Sequence, residues 1–197
     1  MQFDLKNLNQ EKFDYVIDLH HNIRTLKIKW SLGVKSYSFD KLNIEKWLLV
    51  NLKINKMPQV HIVDRYMKTV EDLGVENDNK GLDYFIPQKD NFDLATLPEQ
   101  FQKEFIAYAI GGQHATKKMP TDKITEVCKL QKLPIILLGG KEDVAAGEQI
   151  AKAVGEKVLN FCGKCNLNQS ASIVQQSAFI ITHDTGLMHI ASALKNE

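Results

Sequence analysis

The sequence predicts an α/β fold in which helices cover parallel β-sheets. Short apolar runs alternate with amphipathic stretches, most regularly from residue 105 to the end of the chain. The apolar runs are also nearly continuous, with little alternation of polar and apolar residues, which is typical of parallel strands buried on both faces. Strands and helices that alternate at this spacing form parallel sheets with helices on both sides.

The predicted elements fall into two groups. The first group has strands at 13–19 and 34–39 and helices at 42–53 and 61–73. The second has strands at 105–110, 134–138, 157–161 and 178–182 and helices at 121–132 (with Thr121 as its cap), 144–154, 170–176 and from 187 to the chain end. Between them, residues 75–97 lack periodicity and are rich in Asn, Asp, Lys and Gly. We therefore predict two domains, residues 1–98 with the linker and residues 99–197.

The composition is that of a soluble globular protein and argues against several other classes. Basic and acidic residues number 14 and 14 through Pro98 and 11 and 10 after it, so neither half has the positive excess that nucleic acids attract, and we expect no nucleic-acid partner. No apolar run approaches the roughly 20 residues of a membrane span, and the first residues have no apolar signal core. Three cysteines predict reduced thiols and a cytoplasmic location.

The stretch from Ser177 to Leu194 has the most informative pattern in the chain. A short apolar strand leads into the turn His183-Asp184-Thr185-Gly186, and apolar residues then recur at helical spacing. Thr185 is placed to cap the helix, and Gly186 lets an anion approach the positive helix N-terminus. Asp184 could accept hydrogen bonds from a sugar beside that anion. The alternative is an ordinary strand–helix corner with a capping residue.

Three strand ends of the second half are predicted to lie along one sheet edge. They carry a Gly-rich turn with a lysine at 112–118, a Gly-Gly turn followed by Glu142 and Asp143, and the helix start at 184–189. A lysine and a helix N-terminus suit a diphosphate, and a carboxylate suits the vicinal hydroxyls of a ribose. Converging on one edge, these features predict a nucleotide site.

Two further motifs leave alternatives open. Cys162-Gly-Lys-Cys165 suggests a redox or zinc site, but a zinc site needs four ligands and only Cys128 remains among the cysteines, which favours two reduced thiols. In the first half, a polar cluster follows the first strand: Asp18, His20, His21, Asn22 and Arg24. It is either a ligand-binding strand edge or a solvated loop and helix start.

Four segments together resemble glycosyltransferase family 9, the heptosyltransferases of lipopolysaccharide inner-core synthesis. They are VIDLHHNIRT, HATKKMP, LLGGKED and FIITHDTGLMHIASAL, which occur in the family's order over nearly the whole chain. The resemblance implies a GT-B fold of two Rossmann-like domains that face each other across a cleft. It also implies inverting, metal-independent transfer of a sugar, typically heptose from ADP-heptose, to a lipid A–core acceptor.

The resemblance also assigns donor-binding positions, which are Lys117, Asp143, Asp184, Thr185, Gly186 and His189. It implies that Lys117 binds phosphate, that Asp184 holds the donor sugar, and that the Thr185-Gly186 turn binds the diphosphate. Asp143, or alternatively Glu142, corresponds to the acidic residue that binds ribose. Cys165 falls in the loop bordering the base, where a thiol can pack as a small apolar group.

On the acceptor side the resemblance is less complete. His21, Asn22 and Arg24 are candidates for acceptor contacts, but none of Asp18, His20 or His21 is assigned as the catalytic base. The family's first strand with its catalytic aspartate, and its last strands and helices, have no counterpart, so we expect an internal portion of a family member with both domains incomplete. Two alternatives remain open: a non-catalytic nucleotide-binding remnant and a GT-B sugar-nucleotide epimerase.

The resemblance also has implications for cofactors and partners. It implies no cofactor and no metal, since the nucleotide sugar is a substrate. The expected partners are the donor, the lipid A–core saccharide and, through peripheral association, the cytoplasmic face of the inner membrane.

Overall fold

The protein divides between Asn79 and Lys80 into two compact units. The structure is a computed structural model that describes residues 5–112 and 115–194. Gln113 and His114 of the predicted Gly-rich turn, and residues 195–197 at the end of the predicted last helix, lie outside the described residues. No helix within the described ranges is long and apolar enough to cross a membrane.

The first unit contains a parallel pair of short strands. β1 (Tyr15–Asp18) and β2 (Lys35–Ser38) pair from Tyr15 opposite Lys35 to Asp18 opposite Ser38, which confirms both predicted strands. The helices are α1 (Leu5–Gln10), α2 (Ile23–Leu32), α3 (Asn43–Trp47), a π-helical continuation over Leu48–Leu52, α4 (Ile62–Lys68) and a 3₁₀ turn at Glu71–Leu73. The two helices predicted at 42–53 and 61–73 are therefore present, although each changes its helix type before its end.

Helix α2 was not predicted as an element of its own. Its cap, Asn22, accepts hydrogen bonds from the N–H groups of Arg24 and Thr25, and the Thr25 hydroxyl accepts one from the N–H of Asn22. Gly33 closes the helix in the left-handed conformation. A glutamate or glutamine is more usual than threonine at the third helical position, which explains why the start was missed.

The second unit is built on a four-stranded parallel sheet. Its strands are β3 (Ile106–Ala109), β4 (Ile135–Leu138), β5 (Val158–Asn160) and β6 (Phe179–Thr182), in the order β5-β4-β3-β6. The helices are α5 (Thr121–Leu130), α6 (Val144–Val154), α7 (Leu167–Gln176) and α8 (Gly186–Ala193). The strand order reverses direction at β3, which is where open α/β sheets bind ligands.

Two helix starts in the second unit differ from the prediction. Thr121 is the first helical residue of α5 and not its cap, because Pro120 takes the capping position without a side-chain hydrogen bond. Helix α7 begins at Leu167 and not at 170, because Asn166 and Gln169 form a reciprocal capping box.

Both faces of this sheet are covered by apolar side chains. One face packs with α5 and α6 around buried residues that include Ile106, Leu137 and Ile150. The other packs Ala107 and Ile136 with a cluster that includes Phe101, Phe105, Ile173 and Val174. Because neighbouring residues of one strand enter opposite layers, the two central strands, β3 and β4, are apolar at every position.

Residues 80–98, placed by the sequence in the first domain and its linker, belong to the second unit. Asp90 is buried and accepts hydrogen bonds from the side-chain amides of Asn166 and Asn168 at 2.9 and 3.1 Å. The N–H of Phe92 donates to the Ser172 hydroxyl, and Leu97 packs in the core. The segment is held by these contacts and by short 3₁₀ turns, which leave no helical or strand period in the sequence.

The carboxylate of Asp18 fixes the end of β1. One oxygen accepts hydrogen bonds from the N–H groups of His20 and His21, and the other lies 3.0 Å from the Lys29 ammonium. Burial alone would raise the pKa of Asp18, but the hydrogen bonds from Thr25, His21, Lys29 and His20 outweigh it and lower the pKa from 3.8 to about 2. Since the folded-state pKa lies below the unfolded value, this stabilisation is present above pH 4 and is lost as the pH falls towards 2.

We expect Asp18→Asn to lower the free energy of unfolding by about 1.5–3 kcal/mol at pH 7, since it weakens several hydrogen bonds to a charged group. Urea unfolding followed by circular dichroism measures the loss, and Asp14→Asn, an exposed carboxylate of the same segment, is the control. The difference in the free energy of unfolding between the wild type and Asp18→Asn should become smaller as the pH falls from 4 to 2. A gap that stays constant over that range would contradict the role of the charge.

Candidate functional site

A cavity of about 810 Å³ lies at the carboxyl edge of the second unit's sheet. The loops that follow all four strands line it, with Gly111 and Gly112 after β3, Gly139 and Gly140 after β4, and the start of α7 after β5. The volume is in the range of small-ligand sites. The sequence-predicted residues that it brings together are Lys117, Glu142, Asp143, Cys165, Asp184, Thr185, Gly186 and His189.

The turn between β6 and α8 presents the start of a helix to this cavity. Thr185 has the extended conformation of a helix cap, as predicted, but its side chain does not cap the helix. Its hydroxyl lies 3.3 Å from the hydroxyl of Thr182 instead. The first N–H groups of α8 therefore have no side-chain cap at the cavity, and an anion can accept their hydrogen bonds.

Lys117 and Asp184 form an ion pair at the mouth of the cavity. The Lys117 ammonium lies 2.5 Å from a carboxylate oxygen of Asp184, and both side chains are exposed. The hydrogen bond and charge of Lys117 hold the pKa of Asp184 below its ordinary value. Exposed ion pairs contribute at most about 1 kcal/mol, so an anionic ligand can replace Asp184 as the partner of Lys117 at little cost.

The two acidic residues left ambiguous by the sequence have different surroundings. Asp143 is 4% exposed; one oxygen pairs with the Lys118 ammonium at 2.6 Å and the other accepts from the N–H of Gly140. A Cβ at Gly111 would lie only 2.6 Å from that second oxygen, so Asp143 also packs against the loop after β3. Glu142 is exposed and lines the cavity. Of the two, Glu142 is the carboxylate with room for a ligand hydroxyl.

The cysteines of the C-x-x-C motif occupy different layers. Cys162 is buried in the core beneath α6, and Cys165 is half-buried in the cavity wall. Burial raises the pKa of Cys162 to about 12 and also raises that of Cys165, so both remain thiols at neutral pH. All three cysteines are free, and no group of three or more potential ligands for a metal lies among the described side chains.

The acceptor-side candidates of the first unit have mixed surroundings. The side chain of Asn22 is taken up by the cap of α2, and the ring of His21 lies 2.9 Å from the carbonyl oxygen of Phe39. Arg24 is exposed. The low pKa of Asp18 and its ion pair with Lys29 make it a poor proton acceptor at neutral pH.

Sequence reasoning missed several residues of the second unit's site. Asn166 and Ser170 line the cavity from the start of α7, and Lys118 fixes Asp143. The Asn166–Gln169 pair was a readable capping signal. The partner of Asp143 could not be found from sequence, because Lys117 and Lys118 are adjacent and chemically identical.

We expect Asp143→Ala to destabilise the second unit by about 2–4 kcal/mol, because it removes hydrogen bonds from Lys118 and Gly140 to a buried charge. Glu142→Ala should change stability by less than about 0.5 kcal/mol, because the side chain is exposed. Urea unfolding measures the free energy of unfolding of both variants and so compares the two neighbouring substitutions. Equal losses would show that Asp143 does not fix the turn.

Comparison with known proteins gives a consistent result. The sequence model of glycosyltransferase family 9 (heptosyltransferase) matches residues 5–197 of this chain. Lipooligosaccharide heptosyltransferase 2 of Haemophilus influenzae is 26% identical, over 94% of this chain and 59% of its own length. Lipopolysaccharide heptosyltransferase 2 of Escherichia coli is 20% identical, over 95% of this chain and 59% of its own length.

Solved structures agree in fold. A family 9 glycosyltransferase from Veillonella parvula superposes with a TM-score of 0.75 at 21% identity, covering 96% of this chain and 57% of its own. Escherichia coli heptosyltransferase WaaC, solved with ADP-2-deoxy-2-fluoro heptose, superposes with a TM-score of 0.67 at 20% identity. The match covers 98% of this chain and 62% of the WaaC chain. The chain thus spans about three fifths of the length of these relatives. It belongs to glycosyltransferase family 9 and has a fold of the GT-B type.

Proposed function

We propose that this chain carries the donor site of a glycosyltransferase that moves heptose from ADP-heptose to a lipopolysaccharide core acceptor, with inversion and without a metal. The observation that carries the proposal is the convergence of Lys117, Asp184 and the start of α8 on one cavity. The curated relatives are heptosyltransferases of lipopolysaccharide or lipooligosaccharide. The proposed location is the cytoplasm, where the donor and the inner face of the membrane are both accessible.

The diphosphate is proposed to bind between Lys117 and the first N–H groups of α8. When it enters, Lys117 exchanges the Asp184 carboxylate for a phosphate oxygen. In the transition state the acceptor hydroxyl oxygen bonds to the anomeric carbon of the sugar on the face opposite the diphosphate and loses its proton to a general base or to water. The bond from the sugar to the diphosphate breaks at the same time, and negative charge grows on the leaving phosphate. A fixed ammonium and an oriented helix start stabilise that charge, so no separate cofactor is needed in this proposal.

The remaining parts of the donor are assigned to the other walls. Released from Lys117, Asp184 can accept hydrogen bonds from sugar hydroxyls, and His189 lies one helical turn further on. Glu142, or Asp143 if it leaves Lys118, accepts the ribose hydroxyls. Cys165 and Leu167 offer the apolar surface against which the base stacks.

Lys117→Ala should weaken ADP binding by about 1–3 kcal/mol, or roughly 5- to 150-fold in Kd, because one charge-assisted hydrogen bond is lost. Calorimetric titration with ADP, UDP and GDP measures this and identifies the preferred base. Lys152→Ala, an exposed lysine on α6, is the matched control and should bind as the wild type does. Failure of the folded wild-type chain to bind any of the three nucleotides at millimolar concentration would refute the proposal.

Asp184→Asn should leave the Kd for ADP within about threefold of the wild type, because the exposed ion pair to Lys117 contributes little. The same variant should bind ADP-heptose at least about tenfold more weakly, since a charge-assisted hydrogen bond to the sugar is lost. Competition titrations with the two ligands give both values. An equal loss for ADP and ADP-heptose would contradict the assignment of Asp184 to the sugar.

A further inference from the structure

His183 is the one residue of the turn after β6 that the proposed donor site leaves without a role. Among the described residues, the cavity lining includes its neighbours Asp184 and Thr185 but not His183 itself. Its imidazole faces the loop after β3, where the N–H of Met119 donates a hydrogen bond to Nε2 at 3.4 Å. The ring also meets the buried ring of Tyr108 edge-on, with 6.4 Å between the ring centroids. His183 thus connects the turn after β6 to the loop after β3.

Met119 is held by more than this one hydrogen bond. The hydroxyl of Tyr108 donates to its sulfur at 3.8 Å, and burial raises the pKa of Tyr108 to about 12, so the hydroxyl keeps its proton. The preceding residue, Lys118, pairs with the carboxylate of Asp143 at 2.6 Å. Two neighbouring residues therefore tie the loop to the turn after β4 through Asp143 and to the turn after β6 through His183.

Lys117 lies in this same loop, two residues before Met119. Its ammonium pairs with Asp184, the residue directly after His183. The loop and the turn are thus joined twice, once by the imidazole and once by two exposed charges. An exposed ion pair is easily exchanged, so a diphosphate that takes Lys117 away from Asp184 leaves the first link in place. That link keeps the backbone of Lys117 beside the start of α8.

Stability of the fold does not explain a histidine at position 183. The N–H of Met119 can only donate, so the Nε2 that accepts from it carries no proton, and the neutral ring has its proton on Nδ1. Nδ1 is buried and has no hydrogen-bond partner among the described residues. A buried donor without a partner costs free energy of folding, and such groups in native proteins call for an explanation. An apolar ring in the same space would avoid this cost.

We propose that His183 is a positioning residue for the diphosphate: by accepting the N–H of Met119, its imidazole fixes the loop that carries Lys117 against the start of α8. This role rests on the proposed function and adds to it a residue that does not touch the donor. A lysine on a fixed loop loses less conformational freedom when it binds a ligand than a lysine on a loose one. His183 therefore contributes to donor affinity through Lys117.

Calorimetric titration of the 197-residue chain with ADP tests this role. His183→Phe keeps an aromatic ring against Tyr108 but removes the acceptor, so the Kd for ADP should rise about three- to tenfold. His183→Gln carries an amide oxygen that can replace Nε2 as the acceptor, and its Kd should stay within about twofold of the wild type. His20→Phe, which changes an exposed histidine of the first unit, is the matched control and should bind ADP as the wild type does.

Two further measurements separate positioning from a purely structural role. In the Lys117→Ala background, His183→Phe should change the Kd for ADP by less than about twofold, because the imidazole acts through Lys117. His183→Phe should also unfold at a urea concentration no lower than the wild type, because it removes the unpartnered Nδ1. A full further loss of affinity in the double variant, or a lower urea midpoint for His183→Phe, would show that His183 supports the fold instead and would overturn the proposal.

The outcomes also distinguish this role from the function on which it rests. If the wild-type chain binds no ADP at millimolar concentration, the proposed function fails and the role of His183 fails with it. If the wild type binds ADP and His183→Phe binds it equally well, only the role of His183 is overturned. The same holds if His183→Gln loses as much affinity as His183→Phe, because the acceptor atom is then not responsible.

Discussion

The cavity of the second unit depends on the hydrogen bonding of β3 to β4 on one side and to β6 on the other. Both pairings are parallel and in matched register, so Ala109, Leu138 and Thr182 end their strands at the same level. The loops that follow must then open onto one edge of the sheet. This register places a lysine, a diglycine turn and a helix start around one volume, although nearly 70 residues separate them in sequence.

The charged residues at that edge form two ion pairs that differ in burial. Lys118 and Asp143 pair inside the turn, where the Asp143 carboxylate is buried and the Lys118 side chain is partly exposed. Lys117 and Asp184 pair at the exposed mouth, where the pair contributes little to stability and is easily replaced. The adjacent lysines thus have partners in different surroundings, since Lys118 pairs with a buried carboxylate and Lys117 with an exposed one. In the first unit, Asp18 and Lys29 form a second buried pair that fixes a strand end and offers no accessible charge.

The sequence was sufficient to predict the parallel sheets, six strands and the residues that gather at the cavity. The four strands of the second unit are largely apolar, and the loops that follow them carry glycine or charge. The family and GT-B fold are confirmed by the comparisons, whereas the ligand roles of Lys117, Asp184 and His189 stay predictions. Helix α2 and the packing of 80–98 were missed, because a Thr25 capping box and side-chain bonds to Asp90 leave no periodic signal. The burial of the Asp143 carboxylate could not be predicted, because it depends on an ion pair with Lys118, which is distant in sequence.

Nucleotide diphosphates are proposed to bind at the carboxyl edge of the second unit's sheet. Amide chemical shifts of the ¹⁵N-labelled chain, recorded during an ADP titration, test this proposal most directly. We expect saturable shifts at Gly112, Gly140 and Gly186, which line the cavity, with Gly155, which precedes β5 at the opposite edge, unchanged. Shifts confined to Gly155 and to the first unit's Gly33 and Gly74 would contradict the claim.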